Sequence, residues 1–160
     1  MKGVVAYDSV YGNTKQVAEA IADQIRSEGH EVVLISLRDG GGAGASGDYL
    51  FVGSPTRIGR MTKKAKEFME GLDKDHWRNK PIVVFDTVGP MSEDKEKREK
   101  WLERVEKSAA TRLRDLARRQ GLSVYQDVLH AAVTGFKGPL ASDALETTKE
   151  FTHRFIASLG

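Results

Sequence analysis

Short, continuously apolar runs recur along this chain, and each is followed by a longer stretch with helical periodicity. The run Ile82-Val83-Val84-Phe85 lacks the polar alternation of a strand that has one face in water. Continuous runs of this kind are typical of parallel strands covered by helices on both faces. We therefore predict strands at Lys2–Tyr7, Glu31–Leu37, Asp48–Gly53, Pro81–Thr87 and Ser123–Val133.

Apolar residues at helical spacing form stripes in the intervening segments. They occupy residues 17–25, 65–72, 102–116 and 145–159, and Asp143 with Glu146 predicts a capping box for the last helix. Strand–helix alternation over 160 residues predicts an α/β fold, a doubly wound parallel sheet with right-handed crossovers and helices on both faces. The length favours a single domain over residues 1–160.

The composition narrows the possible classes of function. The chain has no cysteine, which excludes disulfides, thiolate nucleophiles and cysteine-ligated metals. Its 25 basic and 23 acidic residues give a net charge of +2, too even a balance to indicate nucleic-acid binding. No apolar run approaches the roughly 18 residues of a membrane helix, so we expect no membrane insertion. The early polar residue Asp8 argues against a signal peptide, and we expect a cytoplasmic location.

The glycine-rich segment Gly40–Gly47 interrupts the alternation. Gly42, Gly44 and Gly47 have the spacing of a dinucleotide-binding fingerprint. That fingerprint must open a helix, whereas the predicted strand Asp48–Gly53 follows here. We interpret the segment as a loop.

A second interruption, Ser92–Lys100, is almost wholly charged and leads into the third helical stripe. Ser92 suits a helix N-cap, and acidic residues directly after it suit the first turn. A solvated helix end is the favoured interpretation, and a surface that docks a partner is the alternative.

The segment between the first strand and the first helix has the residues of a phosphate-binding loop. A helix N-terminus offers backbone N–H groups without partners and the positive end of the helix dipole. The hydroxyls of Ser9 and Thr14 and the amide of Asn13 add donors, and Gly12 allows close approach of the backbone. The Gly-Lys-Ser/Thr ending of a nucleotide-hydrolysing loop is missing. A polar turn with a helix cap is the simpler alternative. The predicted phosphate-site residues are Ser9, Val10, Tyr11, Gly12, Asn13 and Thr14.

Two further loops should meet this one, because ligands of open α/β sheets bind at the carboxyl ends of the strands. The third and fourth predicted strands lead into segments of small residues, whose free backbone groups suit the edge of a flat heterocycle. Ordinary turns are the alternative. The predicted contact residues are Pro55, Thr56, Arg57, Ile58, Gly59, Thr87, Val88 and Gly89.

These loops resemble those of the flavodoxins and their flavodoxin-like relatives. The first is similar to the FMN phosphate loop in Ser9, Gly12 and Thr14, while Tyr11 stands where many flavodoxins have a small hydroxyl residue. The second resembles the loop of the tryptophan-repressor-binding-protein-like quinone reductases, with Ile58 in place of their aromatic residue. Further similarity to short flavodoxin-family proteins lies in Val133, Gly135, Gly138, Pro139 and Leu140.

The resemblance implies a five-stranded sheet in the order 2-1-3-4-5 and noncovalently bound FMN. It implies an electron-transfer carrier that meets redox partner proteins, as a monomer or a weak homodimer. Two alternatives are an NAD(P)H-dependent quinone reductase and a module that keeps the fold without flavin. Low-potential flavodoxins are acidic and stack aromatic rings on the flavin. With a positive net charge and Arg57 near the flavin, we expect a less negative potential for the fully reduced cofactor.

Catalysis by side chains alone is not indicated. The histidines at 30, 76, 130 and 153 are scattered and lack a metal-binding spacing. We interpret each as structural, with a cofactor-side role for His130 as an alternative because its strand ends near the predicted site. Trp101 is interpreted as helix packing, and Trp77 as a cover for the core.

Overall fold

The computed structural model of the chain describes residues 1–89 and 94–160. Its strands are β1 (Lys2–Tyr7), β2 (Glu31–Ser36), β3 (Tyr49–Pro55), β4 (Ile82–Val88) and β5 (Leu129–Ala132). Its helices are α1 (Asn13–Ser27), α2 (Lys63–Glu70), α3 (Lys74–Trp77), α4 (Lys95–Val105), α5 (Ala109–Arg119) and α6 (Ala144–Ser158).

The five strands form one parallel sheet in the order β2-β1-β3-β4-β5. The predicted fold class and strand order are thus confirmed. In this register Tyr7 lies beside Gly53, and Gly53 lies beside Phe85. The three central strands therefore end at the same edge of the sheet, and the loops that follow them meet there.

The core lies on both faces of the sheet, which is why the central strands are continuously apolar. Ile82 and Val84 pack into a cluster with α2 and α5, whereas Val83 and Phe85 pack into the opposite cluster with α1 and α6. Trp77 is almost fully buried in the first cluster, so the interpretation of this side chain as a core cover is confirmed.

The third apolar stripe forms two helices instead of one. The chain leaves the helical path between α4 and α5, and the first N–H groups of α5 then find acceptors on other elements. Ala109 N–H donates to Thr56 Oγ1 at 3.1 Å, and Ala110 N–H donates to Asp86 Oδ2 at 2.9 Å. The break therefore directs the N-terminus of α5 to the carboxyl edge of the sheet, a connection that apolar spacing cannot reveal.

Other boundaries also differ from the prediction. β5 is shorter than Ser123–Val133, because only a single bridge from Val124 to Ile82 precedes it. The predicted capping box is wrong: Asp143 is in a helical conformation and its side chain makes no capping hydrogen bond. An N-cap needs an extended residue whose side chain can turn back to the first helical turn.

Two segments, Gly40–Gly47 and Ser92–Lys100, interrupt the strand–helix alternation, and the predictions made for them have different outcomes. No helix follows the glycine-rich segment, which leads into β3, so its interpretation as a loop is confirmed. The predicted N-cap Ser92 lies outside the described residues. α4 begins at Lys95, and the side chain of Asp94 accepts a hydrogen bond from Lys97 N–H. In the described part of the chain no helix is long and apolar enough to cross a membrane.

Candidate functional site

A cleft of about 540 Å³ lies at the carboxyl edge of the sheet, within the usual volume range of small-molecule sites. All of the predicted site residues except Gly12 line it. The structure thus brings the β1–α1 loop, the β3–α2 loop and the end of β4 together as predicted. Residues that the sequence analysis did not assign complete the lining: Arg104, Val133, Gly135 and Phe136.

One end of the cleft is built from the N-terminus of α1, and we term it the phosphate end (Ser9–Thr14). Gly12 is the N-cap, with φ of 94°, a conformation that favours glycine. Among the described residues, nothing accepts a hydrogen bond from the backbone N–H of Asn13 or Thr14. Ser9 Oγ accepts from Gly12 N–H at 3.1 Å and from Lys15 N–H at 3.3 Å, which leaves its own proton available. This end therefore offers several hydrogen-bond donors that have no partner among the described residues, and a phosphate needs donors of this kind.

Two side chains of the phosphate end tie it to β4 and to the β5–α6 loop. The Oγ1 atoms of Thr14 and Thr87 lie 2.9 Å apart in a buried hydrogen bond. Asn13 Nδ2 donates to the Lys137 carbonyl at 3.1 Å. Gly138, with φ of 97°, lies so close that an added Cβ would be 2.4 Å from Asn13 Oδ1. These two side chains position the loop, and the role of their polar groups toward a phosphate stays a prediction.

An ion pair between a buried carboxylate and a half-exposed guanidinium lies beside the phosphate end. Asp8 is fully buried, and both of its oxygens accept from Arg38, whose Nε and one terminal nitrogen each lie 3.0 Å away. The hydrogen bond and the attraction to Asp8 raise the pKa of Arg38. The guanidinium thus balances a carboxylate that would otherwise repel an anion here. The sequence analysis missed this pair, since Arg38 follows β2 and no local spacing links it to Asp8.

The other end of the cleft, the ring end (residues 57–59 and 89), is open to solvent. Arg57 and Arg60 exchange backbone hydrogen bonds in a tight turn. Ile58 at its tip has φ of 51° and is fully exposed, a strained conformation for a β-branched residue. Within the described chain, no acceptor faces the backbone N–H of Gly59 or Gly89. These donors are free for the edge of a flat ligand.

Two long side chains that do not line the cleft bind backbone carbonyl groups of the ring end. Arg112 Nε donates to the Gly59 carbonyl, and Trp101 Nε1 donates to the Gly89 carbonyl, both at 2.6 Å. Trp101 does not line the cleft. Trp101 instead holds the backbone of Gly89, a predicted contact residue. The interpretation of Trp101 as helix packing did not include this contact.

The fully buried Asp86 organises the floor beneath the ring end. Its Oδ2 accepts from Ala110 N–H and, at 3.3 Å, from Thr56 Oγ1. Its Oδ1 lies 2.8 Å from His130 Nδ1. His130 does not line the cleft and reaches it only through this carboxylate. The sequence analysis missed Asp86, although a carboxylate inside the apolar strand β4 is an available signal.

An aromatic pair frames the mouth of the cleft. The rings of Tyr11 and Phe136 lie 5.6 Å apart, and Lys137 Nζ lies 5.7 Å from the centre of the Tyr11 ring. Phe136 is 80% exposed and belongs to the β5–α6 loop. The two loops predicted to contact the flavin contain no aromatic residue, and the contribution of this third loop was not predicted.

The charged side chains among the described lining residues of the cleft are cationic. Arg57 and Arg104 are the charged side chains of the lining. Over the described ranges, no group of three or more His, Asp or Glu side chains is arranged to hold a metal. The arrangement suits a flat organic anion, with its phosphate at the N-terminus of α1 and its ring between the open loops.

Comparison with known proteins agrees with this geometry. A family profile described as "Flavodoxin domain" matches residues 4–158. A flavodoxin of Aquifex aeolicus is 40% identical over 78 residues, 48% of this chain and 42% of that protein. The chain spans less than half the length of the curated relatives that it matches.

Solved structures share the fold. A flavodoxin from the domain Archaea superposes with a TM-score of 0.72 at 23% identity, over 99% of this chain and 98% of that one. A flavodoxin, WrbA-like protein from Agrobacterium tumefaciens gives 0.65 at 20% identity, over 96% and 93%.

Proposed function

This chain belongs to the flavodoxin family, whose members bind FMN, and we propose that it carries electrons between redox enzymes with FMN held in the cleft. FMN supplies the reversible electron chemistry, while the protein supplies binding, orientation and electrostatics. The observation that carries the proposal is the contrast between the ends of the cleft. Unpartnered N–H groups lie at the N-terminus of α1, whereas the exposed cations Arg57 and Arg104 line the cleft away from it.

The phosphate end would hold the FMN phosphate without a direct side-chain cation. The N–H groups of Asn13 and Thr14 and the Ser9 hydroxyl would donate to it. The Arg38–Asp8 pair keeps the neighbouring carboxylate from repelling it. Backbone donors at a helix N-terminus need no reorganisation, because the helix already points them at the ligand.

The ring end would contact the isoalloxazine through backbone groups and apolar side chains. The Gly59 and Gly89 N–H groups are free to donate to the ring edge. Ile58 and Phe136 would cover parts of the ring from solvent, and Arg57 would place a positive charge near it. An exposed ring edge suits electron transfer to another protein, since no substrate need enter.

The phosphate assignment can be tested by comparing FMN with riboflavin, which lacks only the phosphate. FMN should bind the apoprotein at least a hundredfold more tightly in a fluorescence-quenching titration, because several charge-assisted hydrogen bonds of about 1.5–3 kcal/mol each depend on the phosphate. Equal affinities would overturn the assignment.

The carrier role can be tested by stepwise anaerobic reduction of the FMN-loaded protein. A visible spectrum distinct from both the oxidised and the fully reduced forms, accumulating midway, would support single-electron transfer. Direct passage between those two forms would instead favour the second candidate, an NAD(P)H-dependent quinone reductase. The specific observation behind that candidate is the resemblance of the Arg57 loop to such enzymes. Location in the cytoplasm and a monomeric or weakly dimeric state stay predictions.

A further inference from the structure

A second hollow adjoins the cleft and belongs to no function described above. It has a volume of about 520 Å³ and shares a wall with the cleft at Thr56, Gly59, Val88, Gly89 and Arg104. Its outer side is formed by α4 and by the connection from α4 to α5. The Arg112–Gly59 hydrogen bond ties this connection to the ring end.

The charges of α4 are sorted by helical spacing. Four basic residues in α4 and just beyond it recur at intervals of three and four residues, and so do four acidic residues; Lys95 and Arg98 fall outside the basic series. The basic stripe is Lys97, Lys100, Arg104 and Lys107; the acidic stripe is Glu96, Glu99, Glu103 and Glu106. Most of the basic stripe lines the hollow, where Glu103 is the acidic side chain among the described lining residues.

Together with the turn at the ring end, these side chains form a cationic rim, which we define as Arg57, Arg60, Lys100, Arg104 and Lys107. All are exposed, and within residues 1–89 and 94–160 none is in a salt bridge. Among the described residues that line the cleft and the hollow, five side chains are cationic and one is anionic: Arg57, Lys100, Arg104, Lys107 and Arg112 against Glu103. The positive charge is therefore concentrated where the cleft opens.

Two exposed apolar side chains line the cleft that this rim borders. Ile58 is fully exposed and Phe136 is 80% exposed, although burial would favour both. Protein interfaces combine an apolar, aromatic centre with a polar rim enriched in arginine. Exposed cations of one sign also steer an oppositely charged protein to this site.

We propose that the cationic rim docks the acidic surface of a redox partner protein over the mouth of the cleft. The inference rests on the proposed carrier function and adds the charge of the partner. Lys100 and Lys107, at the outer side of the hollow, would steer the partner, while Ile58 and Phe136 would contact it. The basic stripe of α4 would thus take part in docking the partner.

The test uses two haem proteins as electron acceptors, the acidic cytochrome b5 and the basic cytochrome c. Electron transfer from the reduced, FMN-loaded protein is followed by stopped flow at increasing ionic strength. With cytochrome b5 the rate should fall as salt rises, because screening removes the attraction. With cytochrome c the rate should rise or stay flat.

The matched variants reverse the same number of charges at two places. Lys100→Glu/Lys107→Glu changes the rim, and Lys149→Glu/Arg154→Glu changes exposed positions on α6. At low salt the rim variant should transfer electrons to cytochrome b5 about tenfold more slowly, and the α6 variant at nearly the wild-type rate. Both should bind FMN, and react with dioxygen, as the wild type does.

A binding measurement independent of electron transfer completes the test. Oxidised cytochrome b5, added to the isotope-labelled oxidised protein, should shift amide resonances of the rim and not of α6. Equal slowing in both double variants, or the same salt dependence with both haem proteins, would overturn the proposal. A rim effect seen only with the small anion ferricyanide would also overturn it, since it would indicate a small-anion site. Failure of the proposed function looks different: FMN does not bind, or its electrons reach neither acceptor.

Discussion

The two ends of the cleft are built in opposite ways. At the phosphate end, Thr14 is almost completely buried, and hydrogen bonds tie the loop to β4 and to the β5–α6 loop. At the ring end, Ile58 is fully exposed to solvent. The backbone there is fixed by hydrogen bonds that its carbonyl groups accept from the side chains of Arg112 and Trp101.

The difference indicates a division of labour. A buried polar end is rigid, and a lost partner there costs roughly 1–3 kcal/mol, so changes should affect folding and cofactor affinity. An exposed end makes few contacts whose loss would unfold the protein, so changes should affect the cofactor's potential and encounters with partners. Substitutions at the two ends should therefore differ in what they change.

The largest effect is expected from Gly138→Ala. The new methyl would collide with the Asn13 side chain, and alanine is strained at φ of 97°. We expect a loss of about 3 kcal/mol in the free energy of unfolding and at least tenfold weaker FMN binding, measured by denaturant titration and fluorescence.

Gly135→Ala is the matched control in the same loop. Its added Cβ would lie 3.4 Å from the Gly138 carbonyl oxygen, an ordinary contact. This variant should keep nearly wild-type stability. Equal losses in both variants would show that the loop tolerates no side chain, and that Asn13 has no special part.

Arg38→Ala should have the next largest effect. It leaves the buried Asp8 without its partner, and because Arg38 is half exposed we expect about 2 kcal/mol, less than for a fully buried pair. FMN affinity should also fall, since an unbalanced carboxylate would stand beside the phosphate. The measurements are the unfolding free energy and the FMN dissociation constant.

The double variant Asp8→Asn/Arg38→Ala separates charge from packing. Removing the carboxylate charge should restore most of the FMN affinity that Arg38→Ala loses. If the double variant binds FMN as poorly as the single one, the ion pair acts through loop geometry and not through its charge.

The sequence predicted the elements whose signal is local. The strands β1, β3 and β4 follow from apolar runs, and the cleft-lining loops follow from small and polar residues directly after those strands. Asp86, Arg38 and Phe136 were missed because what matters about each is a partner distant in sequence. The break between α4 and α5 was missed for the same reason, since its hydrogen bonds go to β4 and to the β3–α2 loop.

The smallest effect, and the sharpest test of the ring end, is expected from Arg57→Gln. Arg57 is exposed, so its charge should be worth on the order of 1 kcal/mol to a negative charge on the reduced flavin. The potential at which bound FMN takes its second electron should therefore become about 40 mV more negative, as measured by an anaerobic redox titration. Folding stability should change by less than about 0.5 kcal/mol, as at other exposed sites.

Lys149→Gln on α6 is the control for net charge, since it removes one cation far from the cleft. It should leave the potential unchanged, and added salt should shrink the Arg57→Gln shift because the charge is exposed to screening ions. An equal shift in both variants would mean that net charge, not a local cation, sets the potential. An unchanged potential together with weaker FMN binding would place Arg57 with the anchoring residues, and the contrast between the two ends of the cleft would then fail.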